Sequence, residues 1–339
     1  MDVLSEVLKS VKLAGALFYN GEFSAPWCFR QPASHVMASY LSADSKHVIV
    51  YHLLTEGRGY ARVEGDDRPL PLKSGDLVIF PHGDPHVMGN GAPVKPLDSA
   101  QELQRVLSEG LTLSRQGGGG EITRIVCGYM ACEPQLSRIF LGGLPSILKV
   151  HIRDDTSGQW LEQSIRYSVG HADASKPGGE AVRARLSEVL FIETLRRYIA
   201  RLPPEQTGWL AGVRDPEVGK ALALLHRQPA HPWTIATLAN EVGTSRSVLA
   251  ERFRRYLSET PMAYLTGWRL QLAAQMLTST SNSVVQIAGE VGYESEPSFN
   301  RAFKREFGLP PARFRTEAKA ARAKAVRDAS TNSRRSAKR

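Results

Sequence analysis

Three cysteines in 339 residues are too few for a disulfide framework, which excludes a small stapled scaffold and points to a reducing, cytoplasmic setting. No apolar run approaches the roughly 18 residues of a membrane span, so no membrane partner is expected. Nothing at the start reads as an export signal, because Asp2, Glu6, Lys9 and Lys12 interrupt it. The nucleophile elbow, the P-loop and the dinucleotide-binding glycine pattern are all missing, which removes several large enzyme classes. What is present is ordinary for a globular chain: 42% hydrophobic residues, and length for two domains or slightly more.

Charge is unevenly spread. From Lys319 onward there are eight basic residues against Asp328, so most of the net +9 sits in the tail and the first 318 residues carry about +2. A tail of Ala, Ser, Lys and Arg over residues 318–339 has the composition of a disordered segment. It can add salt-sensitive attraction to phosphates, but it cannot read a sequence.

The chain carries one helical unit twice. Leu238-Ala239, Val242-Gly243 and Phe253 recur as Ile287-Ala288, Val291-Gly292 and Phe303, with one extra residue in the second turn, and Pro261 and Tyr264 recur as Pro311 and Phe314. A small Ala where two helices cross, a Gly for positive φ and a Ser cap before the next helix make a helix-turn-helix plan. Leu249, Phe253 and Tyr256 share one face of the first reading helix. Ser247, Glu251, Arg254 and Arg255 then point outward, with Arg246 at the helix start. In the second copy Phe299, Ala302 and Phe303 face inward, leaving Pro297, Asn300, Arg301 and Lys304 outside, with Glu296 opening the helix. Such a face suits a major groove: Arg301 and Asn300 are expected to read bases, and Lys304, Arg254 and Arg255 to hold phosphates.

The stretch from about Arg214 to Thr316 resembles the AraC/XylS class of transcription regulators. The resemblance rests on Gly292-Tyr293, Ser295, Phe299, Arg301, Phe303-Lys304 and Leu309-Pro310-Pro311, together with the first-copy residues above. It implies two helix-turn-helix units, about 234–256 and 284–307, joined by a helix from Tyr264 to Leu277 and entering major grooves about 34 Å apart.

Upstream, residues from about Ala14 to Val150 read as β-rich. His47 to Leu54 is a near-continuous apolar run, Tyr60 to Glu64 alternates, and Gly75 to Phe80 is a turn and strand ending at Pro81-His82-Gly83-Asp84-Pro85-His86. The spacing Gly75-x5-Pro81-x-Gly83-x2-His86 resembles the second motif of cupins. The first cupin motif, two histidines and a glutamate before Gly57, is not matched. Pro93 to Gly120 reads as an exposed insertion with a helical run over Ser99–Ser108 and flexible glycines at 117–120. Two helical stretches follow, Gly158–Ser168 and Gly179–Leu202. The second carries an apolar stripe from Val182 to Ile199, either packed on its own barrel or serving as a subunit interface. Leu202 to Gly208 reads as a linker.

The fold expected is therefore α+β and multidomain. It comprises a cupin-like barrel over 1–150, a helical linker and dimerisation segment over 151–205, and an all-α double helix-turn-helix domain over 206–317. The function expected is a DNA-binding transcription regulator. Its partners are double-stranded promoter DNA, a second copy of the chain, a small-molecule effector and, for an activator, RNA polymerase. The alternative is a cupin-type metal-dependent enzyme with a helical accessory domain, and the unmatched first motif weighs against it. A further candidate set is His82, His86, Cys127 and Cys132. Converging, these would hold a structural zinc. Otherwise Cys127 is a core residue, His82 is exposed and His86 is bonded within its turn, or the two cysteines form a thiol switch.

Overall fold

The computed structural model describes residues 4–5, 13–41, 47–99, 114–132, 141, 144–170, 178–203 and 205–320. These fall into two compact units, one of Leu13–Glu133 and Pro145–Arg201 that holds every described β-strand, the other of Leu202 onward grouped with Met1–Lys12 and Pro134–Leu144.

The first unit is a two-sheet sandwich. One sheet runs β11 (Leu148–His151), β6 (Asp76–Phe80), β3 (His47–Glu56), β10 (Ile122–Cys132), β1 (Leu13–Ser24), β9 (Ser114–Gly117). The other runs β5 (Leu70–Lys73), β4 (Arg58–Val63), β7 (His86–Asn90), β2 (Trp27–Gln31), β8 (Leu97–Asp98). A short helix α1 (Ser34–Leu41) adds Met37 and Ala38 to the core between them. The alternation of β3 explains its unbroken apolar run. Val48, Val50 and Leu54 fill the space between the sheets, together with Phe29, Phe80, Met88 and Ile125. The intervening residues are buried as well, because helices α2 (Thr156–Gly170) and α3 (Gly179–Ala200) cover the outer face. Tyr51 points that way, and its hydroxyl meets Ser187 of α3 at 2.9 Å.

Two sequence expectations change here. The segment 93–120 is not a free insertion. β8 pairs parallel to β2 and β9 parallel to β1, while residues 100–113, most of the expected helical run, lie outside the described residues. Its glycines pack against the β1–β2 turn: Gly118 N–H donates to Ser24 O and Gly120 N–H to Ala25 O. A Cβ on Gly117, at φ +126°, would sit 2.0 Å from Ser24 O, so close backbone approach demands glycine there.

The stripe on α3 is split. Leu190, Phe191, Leu195 and Ile199 are buried on the sandwich, whereas Val182 and Val189 stay exposed and Leu186 and Ile192 are half-buried.

The second unit is helical: α4 (Trp209–Arg214), α5 (Pro216–Arg227), α6 (Ile235–Val242), α7 (Arg246–Leu257), α8 (Pro261–Ser279), α9 (Val284–Glu290), α10 (Glu296–Phe307) and α11 (311–320). The supposed linker belongs to it. Leu202 is buried, its carbonyl accepts from Arg214, and Gly208 N–H donates to Tyr256 O at 2.8 Å. Residues 318–320 continue α11; the rest of the basic tail lies outside the described residues.

Candidate nucleic-acid interface

Each reading helix is set by the residues before it. Thr234 and Thr237 form a capping box on α6, as Ser283 and Gln286 do on α9. Gly243 and Gly292 then turn the chain at φ +86° and +88°, and the next N–H of each, Thr244 and Tyr293, bonds back to Ala239 O and Ala288 O. Ser245 caps α7 by accepting from Val248 N–H, and Ser295 caps α10 by accepting from Ser298 N–H. Both reading helices are 12 residues long and start 50 residues apart. Side chains 50 apart therefore leave the two helices at the same height and angle. Leu249 and Phe253 plug the first unit as Phe299 and Phe303 plug the second, all four fully buried. Tyr256, expected inside, is only half-buried, and the Arg255 guanidinium lies 5.5 Å from its ring centroid.

The outward face is largely the expected one. Arg246, Ser247, Glu251, Arg254 and Arg255 are exposed on α7; Pro297, Arg301 and Lys304 are exposed on α10. Glu296 and Asn300 are half-buried and bonded to each other, Asn300 Nδ2–H donating to Glu296 at 3.4 Å. That bond leaves Asn300 one amide hydrogen for a base. Ser298 and Arg305 are exposed beside them and went unrecognised, although the 50-residue offset carries Arg255 onto Arg305.

The arginines sort into two groups. Arg252 pairs with Asp215 at 2.6 Å and Glu217 at 2.7 Å. Arg269 donates to Pro229 O and His231 O, and Arg315 to Leu277 O and Asn282 O. These three tie helices together. Arg246, Arg254 and Lys304, by contrast, make no ion pair with any described residue, so their charge is available to an anionic partner.

The sandwich holds a second polar feature, which involves a residue no motif singled out. His86 Nδ1–H donates to Asp84 O at 2.8 Å, because a carbonyl can only accept. His86 Nε2 must then accept, from His52 Nε2–H at 2.8 Å. His52 Nδ1 is left to accept from the Cys127 thiol at 2.8 Å. One tautomer of each ring satisfies the whole chain. Burial pushes the His86 pKa down to about 3, holds that of His52 well below its ordinary value with help from His86, and raises the Cys127 thiol. All three groups are therefore neutral, and the chain is a satisfied core network rather than a reactive thiolate.

The four-residue metal set does not survive this geometry. Cys127 lies in the middle of β10 and Cys132 at its end, so four residues of continuous strand lie between them, and five steps along it set the Cα atoms about 16 Å apart. Two thiolates that far apart cannot share an ion at about 2.3 Å from each sulfur. The Cys132 side chain lies outside the described residues. His82 is half-exposed and close enough to His47 to oppose its protonation. Among the described residues no three His, Cys, Asp or Glu side chains are disposed to hold a metal.

Comparison with known proteins now decides the family. Residues 2–200 match the family model described as Cupin, and residues 238–317 one described as a helix-turn-helix domain. A putative AraC-like transcription regulator of Streptomyces antibioticus is 31% identical over 293 residues, 83% of this chain and 94% of that protein. The chain belongs to the AraC family of transcription regulators. The HTH-type transcriptional regulator AlkR of Acinetobacter baylyi is 29% identical over 322 residues, 94% of this chain and 100% of AlkR. A solved AraC-type regulator domain from Chromobacterium violaceum is 32% identical, covering 30% of this chain and 92% of that one with a TM-score of 0.29. The cupin-enzyme alternative finds no support among these relatives. In this AraC-family chain the two reading helices carry opposite charges at two equivalent pairs, Arg246 with Glu296 and Glu251 with Arg301, and only in the second pair are both side chains exposed.

Proposed function

We propose that this regulator binds promoter DNA by laying α7 and α10 in successive major grooves, works as a homodimer, and takes its signal through the sandwich. The observation that carries the DNA assignment is the pair of outward faces related by one offset, with Arg246, Arg254 and Lys304 free while neighbouring arginines are consumed inside the fold. At 19 residues, α8 is about 28 Å long, suited to holding the two units roughly one DNA turn apart. RNA polymerase is the added partner if the regulator activates.

Arg301→Ala should cost about 1–3 kcal/mol in specific binding and relax preference at one base pair. Lys304→Ala should weaken all sequences alike and flatten the salt dependence. Binding curves over a set of single-base site variants measure both, and an Arg301→Ala protein that treats every variant as the parent does would refute the assignment.

The dimer reading rests on apolar surface that the fold leaves open: Val182 and Val189 on α3 are 55% and 37% exposed, and Trp160 and Tyr167 on α2 are 56% and 67% exposed. Leu195 is fully buried on the sandwich, so changing it would unfold the protein and test nothing. Val182→Asp with Val189→Asp is the informative variant. It should sediment as a soluble monomer and bind its operator more weakly, because linked units raise each other's effective concentration. A parent protein that stays monomeric at high micromolar concentration would sink the dimer.

A further inference from the structure

Position 251 is occupied by an acid in the place where the second reading helix carries Arg301. Both side chains are exposed, and both helices are capped by a serine six residues earlier, so the two groups reach the same depth in their grooves. None of the described residues bonds to the Glu251 carboxylate. It stands among cations, with Arg254 on the same face and Arg246 near the start of its helix, yet it would face a polyanion. An unpaired carboxylate there opposes binding through phosphate repulsion.

A carboxylate can only accept, and the major groove offers it two donors, cytosine N4–H2 and adenine N6–H2. Adenine places its N7 lone pair beside that amine, and N7 repels the second carboxylate oxygen. Cytosine has no acceptor on that side. Guanine and thymine offer acceptors at O6, N7 and O4, which a carboxylate cannot meet.

Resting on the DNA-reading assignment above, we infer that Glu251 is a specificity residue that selects a cytosine in the groove read by α7. Arg301, at the equivalent place on α10, selects a guanine about one helical turn away. The carboxylate gives up affinity for DNA in general and rejects the other bases. The assignment has a signature that no cation on this face shares: removing the group should strengthen non-specific binding while erasing a base preference.

Selection of the intact protein on randomised duplexes, followed by sequencing, tests this with three proteins: the parent, Glu251→Gln and Glu251→Ala. The parent should enrich cytosine at one position, by roughly tenfold or more over the other bases. Glu251→Gln, which carries both a donor and an acceptor, should move that preference to adenine, whose N6 and N7 match an amide. Glu251→Ala should lose preference at that position alone and bind an unrelated duplex more tightly than the parent. The guanine preference assigned to Arg301 should persist in both variants, which shows that they are folded and docked. If both variants keep the parent's preference at every position, Glu251 reads nothing and the inference is overturned while the DNA-binding reading stands. If the parent itself selects no sequence, the DNA-reading assignment falls and takes the inference with it.

Discussion

Between pH 6.5 and pH 4.5 the sandwich should lose roughly 2 kcal/mol of folding free energy for each histidine that its core keeps neutral through that window. The losses at His52 and His86 add, to a few kcal/mol, a large fraction of the stability of many domains. The sign follows from the direction of the shifts. Burial lowers both folded pKa values, that of His86 to about 3, while the unfolded rings titrate near 6.5. Well above pH 6.5, by about pH 8, neither state binds these protons and the contribution is complete. As pH falls, the unfolded chain takes up two protons that the folded chain refuses, and stability drops until the folded rings protonate too. His47, also lowered by burial, acts in the same direction. Urea unfolding followed from pH 8 to pH 4.5 measures the slope, which should approach about 2.7 kcal/mol per pH unit for two protons. His86→Gln should reduce it by about half. A midpoint that does not move over that range would show that the rings are not buried neutral.

Replacing Phe303 by Ala should cost about 3–5 kcal/mol, the second large effect. Its ring is fully buried, with Phe299, Phe307 and Phe314 at centroid distances of 5.5, 4.5 and 5.3 Å. The core it serves, with Leu277, Ile287 and Phe299, holds α10 against α8 and α9. No neighbouring helix can collapse into the space without pulling α10 off its angle. Specific DNA binding should therefore disappear along with the loss of stability. Helical circular dichroism in a urea titration reads the first, and binding to a selected site reads the second. A loss below about 1 kcal/mol, with specific binding intact, would mean that the two units do not depend on their aromatic plugs.

The helical unit was legible because its determinants are local. The Ser caps at 245 and 295, the glycines at 243 and 292 and the plugs at Phe253 and Phe303 each act within one or two turns of their own helix. The same holds for the apolar run of β3, whose burial on both faces shows in its composition. The linker was misjudged for the opposite reason. Pro203 marks a helix end correctly, but only a partner from another helix, Arg214, shows that Leu202 is docked.

By itself, then, the sequence determined where helices begin and turn, which residues face outward on α7 and α10, and that a β-rich, cupin-like domain precedes them. Those properties follow from period, capping and turn chemistry along a few consecutive residues. The tertiary structure alone decided which charges are free and which polar groups meet. Arg252 spends its charge on Asp215 and Glu217, more than 30 residues away. His52, on β3, joins His86 of β7 across the sandwich and Cys127 of the adjacent β10, whereas Cys127 and Cys132, close in sequence, are held apart by an extended strand. Strand pairing joins residues that are far apart in the chain and separates neighbours at about 3.3 Å per residue, so spacing along the chain carries little information about such meetings.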